Sequence, residues 1–296
     1  QDTDENRNPQ IKDTVAVTVY VGNDVNGIVL DTDVLVLTES SETSAVFQSG
    51  GIQMTDTVVP VVADRIVSWG VSDTIHVLYT DVTGTAESGS DTALAIQPPT
   101  DGSVQIYANR FYTNWVDTLS TRAVMYVEVA DTDENRNPAA IETVTVTVYV
   151  ANGAAEGASA KGLIIDTETL ILTEAGETSG IFRSDTVVVT DTKLPVVNDG
   201  VVSWGRGDTM HIKYTDANDA TDTGEDTALA LEIATSAKAI FYEDSMFGDD
   251  VDTYFTRDLM FVAVHDTDEN RNPQLKDTVQ VVVYVGNGFA EGASAA

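Results

Sequence analysis

The sequence has no cysteine, which excludes disulfides and thiolate metal sites and leaves a surface protein in need of another staple. Basic residues are scarce, with 15 Lys and Arg against 48 Asp and Glu and a formal net charge of −33. Nucleic acid and anionic membrane both need a positive footprint, so this balance disfavours them as partners. No apolar run approaches the roughly 18 residues of a membrane span, and membrane insertion is not expected. The three histidines, His76, His211 and His265, are too few for a zinc site. No GxSxG, HExxH or P-loop motif is present, and nothing points to an enzyme. Carboxylates are so dense that a glycosidase-like pair could be drawn almost anywhere, so such a pair carries no weight. No stretch shows a sustained helical period. No signal peptide opens the chain, which starts at Gln1 inside a repeat; it is read as processed or as a segment of something longer, and secretion is not argued against.

What is present is repetition. Asp-Thr-Asp-Glu-Asn-Arg-Asn-Pro occurs unchanged at Asp2–Pro9, Asp131–Pro138 and Asp266–Pro273. Internal repeats of this kind set the architecture, here a unit of roughly 130 residues in tandem. The copies align further, as in Val67-Ser68-Trp69-Gly70 with Val202-Ser203-Trp204-Gly205, and Tyr79-Thr80-Asp81 with Tyr214-Thr215-Asp216. Gln97–Gly102 is the best linker signal, and Ile233–Ala237 takes its place one repeat later. We therefore expect a first segment, 1–103, lacking its opening strands, a complete unit, 104–235, and the opening strands of a third, 236–296, to be completed by a neighbour.

The fold class expected is all-β. Valines 144, 146, 148 and 150 alternate with Thr143, Thr145, Thr147 and Tyr149, the period-two pattern of a strand buried on one face. Val15–Val21 and Val279–Val285 repeat it, and short Gly, Asn, Asp and Pro clusters separate the strands as in a β-sandwich. Trp69, Trp204 and Trp115 are expected in sandwich cores or at unit junctions.

The octapeptide is rich in oxygen ligands. Positions 1, 3, 5 and 7 are Asp2, Asp4, Asn6 and Asn8, then Asp131, Asp133, Asn135 and Asn137, then Asp266, Asp268, Asn270 and Asn272. Position 12 is acidic each time: Asp13, Glu142 and Asp277. Calcium takes six to eight hard oxygens, which alternating short side chains on a curled loop can supply. The spacing follows the EF-hand loop rule, except that Arg replaces the Gly at position 6 and strands flank the loop. The competing reading is an Asx-rich turn whose side chains bond their own backbone. A second candidate site is formed by Asp81 with Asp91 and by Asp216 with Asp226, each pair bracketing a polar loop; a solvated turn is the alternative. Glu39 and Glu174 either add a ligand or face water.

Taken together, the acidic loop, Leu-Thr-Glu before Thr43–Phe47 and Thr178–Phe182, and Tyr-Thr-Asp carry a likeness. The chain resembles the tandem Ig-like sandwich repeats of large bacterial and archaeal surface proteins. The resemblance implies Ig-like antiparallel sandwiches, Ca2+ that stiffens loops or junctions, and a role in an extracellular filament, stalk or surface layer. Its expected partner is itself, as a head-to-tail homopolymer or longer tandem array, with strand exchange between neighbours. The alternatives are an adhesin region recognising a glycan or cell-surface protein through Ala151–Lys161 or Phe111–Trp115, and an accessory region of a large extracellular enzyme.

Overall fold

The computed structural model describes residues 5–23, 28–81, 87–153 and 159–286; Asp2, Asp4 and part of the Ala151–Lys161 insert lie outside them. Among the described residues every regular element is a strand. The first segment holds β1 (Thr14–Asn23), β2 (Ile28–Glu39), β3 (Phe47–Gln48), β4 (Gln53–Thr55), β5 (Ile66–Ser68), β6 (Thr74–Thr80) and β7 (Ser88–Leu94). The second opens with β8 (Ser103–Tyr107), β9 (Thr118–Ser120) and β10 (Val124–Ala130). It continues with β11 (Thr143–Ala151), β12 (Ile164–Glu174), β13 (Ile181–Arg183), β14 (Val187–Thr190), β15 (Val201–Ser203), β16 (Thr209–Thr215) and β17 (Thr223–Leu231). The third holds β18 (Lys238–Tyr242) and β19 (Phe261–His265).

In the second segment the ladder runs β15-β14-β10-β13-β12-β11-β16-β17-β9, with β8 on the other edge of β10. It folds back into two layers because β10 changes partner along its length. Val124 and Met125 pair with β14, and Glu128–Ala130 pair with β13. The layers close where β8 meets β17, through the Ile106 N–H donated to Asp226 Oδ2 at 2.8 Å. The alternation read in the sequence is realised on β11: Val144, Val146, Val148 and Val150 are buried, and the threonines between them are exposed. With Met125, Val127, Phe182, Trp204, Ile212 and others they make one core.

β1, β2 and β6 reproduce β11, β12 and β16 in the same register, down to the bulge after Val21 and after Val150. Among the described residues, the buried hydrophobic cluster here is smaller, built on Val17, Val19, Val21 and Val67. The cause is visible in the second segment, where Val104, Ile106, Leu119, Met125, Val127 and Val129 on β8–β10 supply the opposite wall. Among the described residues of the first segment there is no counterpart of those strands. In the third segment, β18 pairs β19 as β8 pairs β10, with Tyr242↔Phe261 matching Tyr107↔Tyr126. The strand expected over Val279–Val285 is absent: those residues carry no ladder and Val285 is almost fully exposed. Their pattern is that of β11, but β11 is held between β12 and β16, and no such partners follow β19 among the described residues. Trp115 also departs from expectation. It is 60% exposed, whereas Trp204 is fully enclosed and Trp69 is half-buried.

The octapeptide sits where one segment meets the next. Val71 N–H donates to Arg136 O at 2.9 Å, and Asn135 Nδ2 donates to Asp56 O at 3.0 Å. A Cβ on Gly70 would lie 1.8 Å from Arg136 O, and one on Gly205 would lie 2.0 Å from Arg271 O. Each Trp-Gly turn is thus a seat for the following loop, and glycine is required by backbone contact. Gly70→Ala is expected to unseat residues 135–137 while leaving the second core folded. Small-angle scattering should then show a larger radius of gyration, and its melting transition should move by less than about 1 kcal/mol equivalent.

Candidate metal centre

The centre is built by three pieces of chain. Asp131 follows β10 directly, and its N–H donates to Gly180 O at 2.8 Å, which fixes the turn out of the sheet. Its Oδ2 accepts from Tyr214 Oη at 2.7 Å, and its Oδ1 lies 3.3 Å from the Thr100 hydroxyl. Asp133 Oδ1 accepts from the same hydroxyl at 2.6 Å. Asp216 stands one residue beyond β16; its Oδ1 accepts Asn218 N–H at 2.6 Å, while its buried Oδ2 accepts no hydrogen bond. Asp131, Asp133 and Asp216 each place an oxygen within 4.8 Å of the others, close enough together to hold a cation.

The electrostatics also favour a cation. Burial, then the hydrogen-bonded Asp133 carboxylate, push the Asp131 carboxyl up to about 7. Asp133 is held low despite its partial burial, by hydrogen bonds from Asp131 and Thr100. Glu134, beside Asp216, is raised by burial and by that neighbour. The nearest guanidinium, Arg136, is engaged with both Glu134 oxygens at 2.6 and 2.7 Å. Three or four carboxylates in a half-buried site with one arginine are mutually repulsive, and a hard divalent ion relieves that. The donor set is all oxygen, with no imidazole or thiolate, which suits calcium or magnesium rather than zinc.

The remaining octapeptide positions behave differently. Asn137 Oδ1 accepts Ala139 N–H at 2.9 Å, and Asn8 and Asn272 do the same with Gln10 and Gln274. Position 7 is therefore an Asx turn in every copy. At position 12, Asp13 Oδ2 accepts Arg7 and Asn8 N–H at 2.7 and 2.9 Å, and Asp277 closes its loop identically on Arg271 and Asn272. Glu142 stands against Glu174, and burial and that partner push it up to about 8. Asn135 faces the preceding segment, with its Oδ1 buried and accepting nothing, as is Asn6 Oδ1. Asp266 and Asp268 share the Thr235 hydroxyl as Asp131 and Asp133 share Thr100. Asn270 reaches Asp191 O as Asn135 reaches Asp56 O.

Asp216 belongs with the octapeptide, and Asp226 does not. Asp226 clamps the Ile106 and Thr227 N–H groups; Asp91, its counterpart, is exposed and holds only Thr92 N–H. Asp81, the counterpart of Asp216, is buried. Glu39 and Glu174 do not face water. Both are buried, accepting Ala45 N–H in one case and Ser179 and Gly180 N–H in the other. Sequence reasoning missed Thr100 and Thr235. Their shared offset from the octapeptide, 31 residues before each opening aspartate, was the available signal. No protein-family profile matches the chain, and no curated protein matches it.

Proposed function

We propose that this chain is a structural segment of an extracellular filament or surface layer, made of Ig-like sandwich units joined head to tail, with Ca2+ held at Asp131, Asp133 and Asp216. The observation that carries the reading is the convergence of those carboxylates from two distant parts of one unit, one oxygen buried and without a donor. An ion there would tie the exit of β10 to the end of β16. The acidic surface, the absence of cysteine and the repeated loop all suit a metal-stapled array. Calcium fits better than magnesium, which keeps its own waters and demands a small octahedral cage. Circular dichroism melts in calcium and in excess chelator test this. Binding to the native state alone adds RT ln(1 + [L]/Kd), about 2.7 kcal/mol at a hundredfold excess over Kd, or roughly 10 °C for a unit of this size. Asp216→Asn should remove most of that increment. An identical melt in both buffers, with no metal by elemental analysis, would refute the reading.

A second reading, an adhesive face for a glycan or cell-surface protein, is favoured by one feature. Phe111 is 68% exposed beside Trp115, with the Arg110 guanidinium 5.0 Å from the Phe111 ring. Exposed aromatics flanked by a cation can bind the apolar face of a sugar. Glycan-array binding abolished by Phe111→Ala and Trp115→Ala would support it.

A further inference from the structure

β8 and β18 are each followed by a tight loop, and the two loops share one backbone shape while presenting different surfaces. Val116 N–H donates to Ile106 O at 2.9 Å and Val251 N–H to Phe241 O at 3.0 Å. Tyr107 bridges Trp115 as Tyr242 bridges Asp250. Asn109 Oδ1 accepts Phe111 N–H at 3.0 Å, and Asp244 Oδ1 accepts Met246 N–H at 2.7 Å. The next residue is left-handed in both loops, with φ of 55° at Tyr112 and 54° at Phe247. Its ring meets two others edge-on: Tyr107 and Tyr126 around Tyr112, Tyr242 and Phe261 around Phe247. Tyr112 also donates its hydroxyl to Ser184 O at 2.7 Å, beneath the Arg183 guanidinium. Loops braced in this way have little freedom left to lose on binding.

The surfaces are complementary. After β8 the loop presents Arg110, Phe111 and Trp115, all exposed, and no carboxylate occurs between Asp101 and Asp117. Arg122, Arg136 and Arg183 are engaged with carboxylates of their own chain. Arg110 instead rests over the Phe111 ring and makes no ion pair among the described residues. After β18 the same loop is acidic: Glu243, Asp244, Asp249 and Asp250 surround Met246, and all five are exposed. Exposure belongs to the loop itself, since residues 113–115 are also exposed in the second segment, whose sandwich is closed. Among the described residues no hydrogen bond or ion pair joins the two loops within one chain. With a net charge of −33, two copies repel over most of their surfaces, and these tips are where unlike surfaces are offered. We propose that loop 110–115 of one copy docks on loop 243–250 of a second copy of this chain. Arg110 meets Asp249 and Asp250, and Phe111 and Trp115 pack on Met246. Guanidinium–carboxylate pairing orients the contact, and aromatic–thioether contact supplies its apolar area. The inference rests on the reading of the chain as a self-assembling segment and adds a contact separate from head-to-tail joining. It uses no cation.

Analytical ultracentrifugation of the 1–296 chain across a concentration series, in chelator, tests it. Association is expected to rise with concentration. It should fall as sodium chloride goes from about 0.1 M to about 1 M, over which the Debye length shrinks from roughly 10 Å to roughly 3 Å. Arg110→Glu, and separately Asp249→Lys with Asp250→Lys, should each weaken association on the order of tenfold. Neither variant alone has a complementary pair of tips, but a mixture of the two does, and the mixture should recover the association. All three positions are exposed, so both variants should melt like the parent, and recovery in the mixture excludes misfolding as the cause. Phe111→Ala with Trp115→Ala should also weaken association. Monomers at every concentration, indifference to both charge reversals, or a mixture that does not recover would overturn the proposal. So would glycan binding through Phe111 and Trp115 by a chain that stays monomeric, which would give the tip to the second reading above. Association in chelator that responds to the charge reversals, with no calcium effect on the melt, would sink the cation reading and leave this one standing. A calcium-dependent melt of a monomeric chain would do the reverse.

Discussion

Trp204→Ala should destabilise the second segment by about 3–5 kcal/mol, the range for deleting a large enclosed aromatic, while Trp69→Ala should cost the first segment only about 1–2 kcal/mol. The two residues occupy the same place in the repeat, and their surroundings differ. Trp204 is fully enclosed, packed in the core with its Nε1 donating to Thr121 O at 3.3 Å. Its removal leaves a cavity in a two-layer core and a carbonyl without its donor, and both terms act in the same direction. Thr121 lies between β9 and β10, and among the described residues of the first segment no such strands stand against Trp69, which is half-buried. Urea unfolding followed separately in the two segments would read this difference. Equal losses would mean that the first segment's tryptophan is covered as well as its counterpart.

The all-β class was legible because β-branched residues alternate at period two, and the burial of Val144–Val150 follows that alternation residue by residue. The repeat was equally legible, since β1 and β11 differ little and take the same partners in the same register. What alternation could not reveal was pairing. Val279–Val285 repeats the valine pattern of β11 and forms no strand, because a strand's hydrogen bonds belong to its neighbours. The parallel pairings of β14 with β15 and β17 with β9 were also invisible: β14, β15 and β9 are too short to carry a pattern, and β9 lies far from β17 in sequence.

The site was half legible, for a related reason. Asp131 and Asp133 could be read from the octapeptide, because the alternation of short acidic side chains is local. Their partner Asp216 could not be assigned to them, since the sequence paired it with Asp226, which stands on the neighbouring strand opposite Ile212 and accepts the Ile106 N–H instead. The linear ligand rule placed position 12 beside positions 1 and 3. In the folded loop the proline after position 7 turns the chain, and the twelfth residue comes back onto the N–H groups of positions 6 and 7 instead. A short carboxylate that finds two backbone donors within its own loop is already satisfied, and Asp13 and Asp277 both do so.

The pH dependence of stability should reverse with calcium. In the chelated protein, Asp131 is raised from 3.8 to about 7 and Glu142 from 4.5 to about 8, chiefly by burial and by their carboxylate neighbours. The folded state therefore binds protons more tightly than the unfolded chain between about pH 4 and pH 8. The stability these groups contribute is complete below the unfolded values and is lost as pH rises through the folded ones. Asp133, shifted the other way, contributes an opposing change at the acid end. The chelated second segment should thus melt higher at pH 5 than at pH 8. Calcium competes with the proton for Asp131, so the increment it adds should be small at pH 5 and grow towards pH 8. Asp131→Asn should flatten part of the chelated slope and remove the calcium increment together. Glu142→Gln should flatten the other part and leave the increment intact, because that carboxyl faces Glu174 rather than the aspartate triad. If Glu142→Gln also removed the calcium increment, the twelfth position would be a ligand after all, and the loop would have to open from Glu174 to bind.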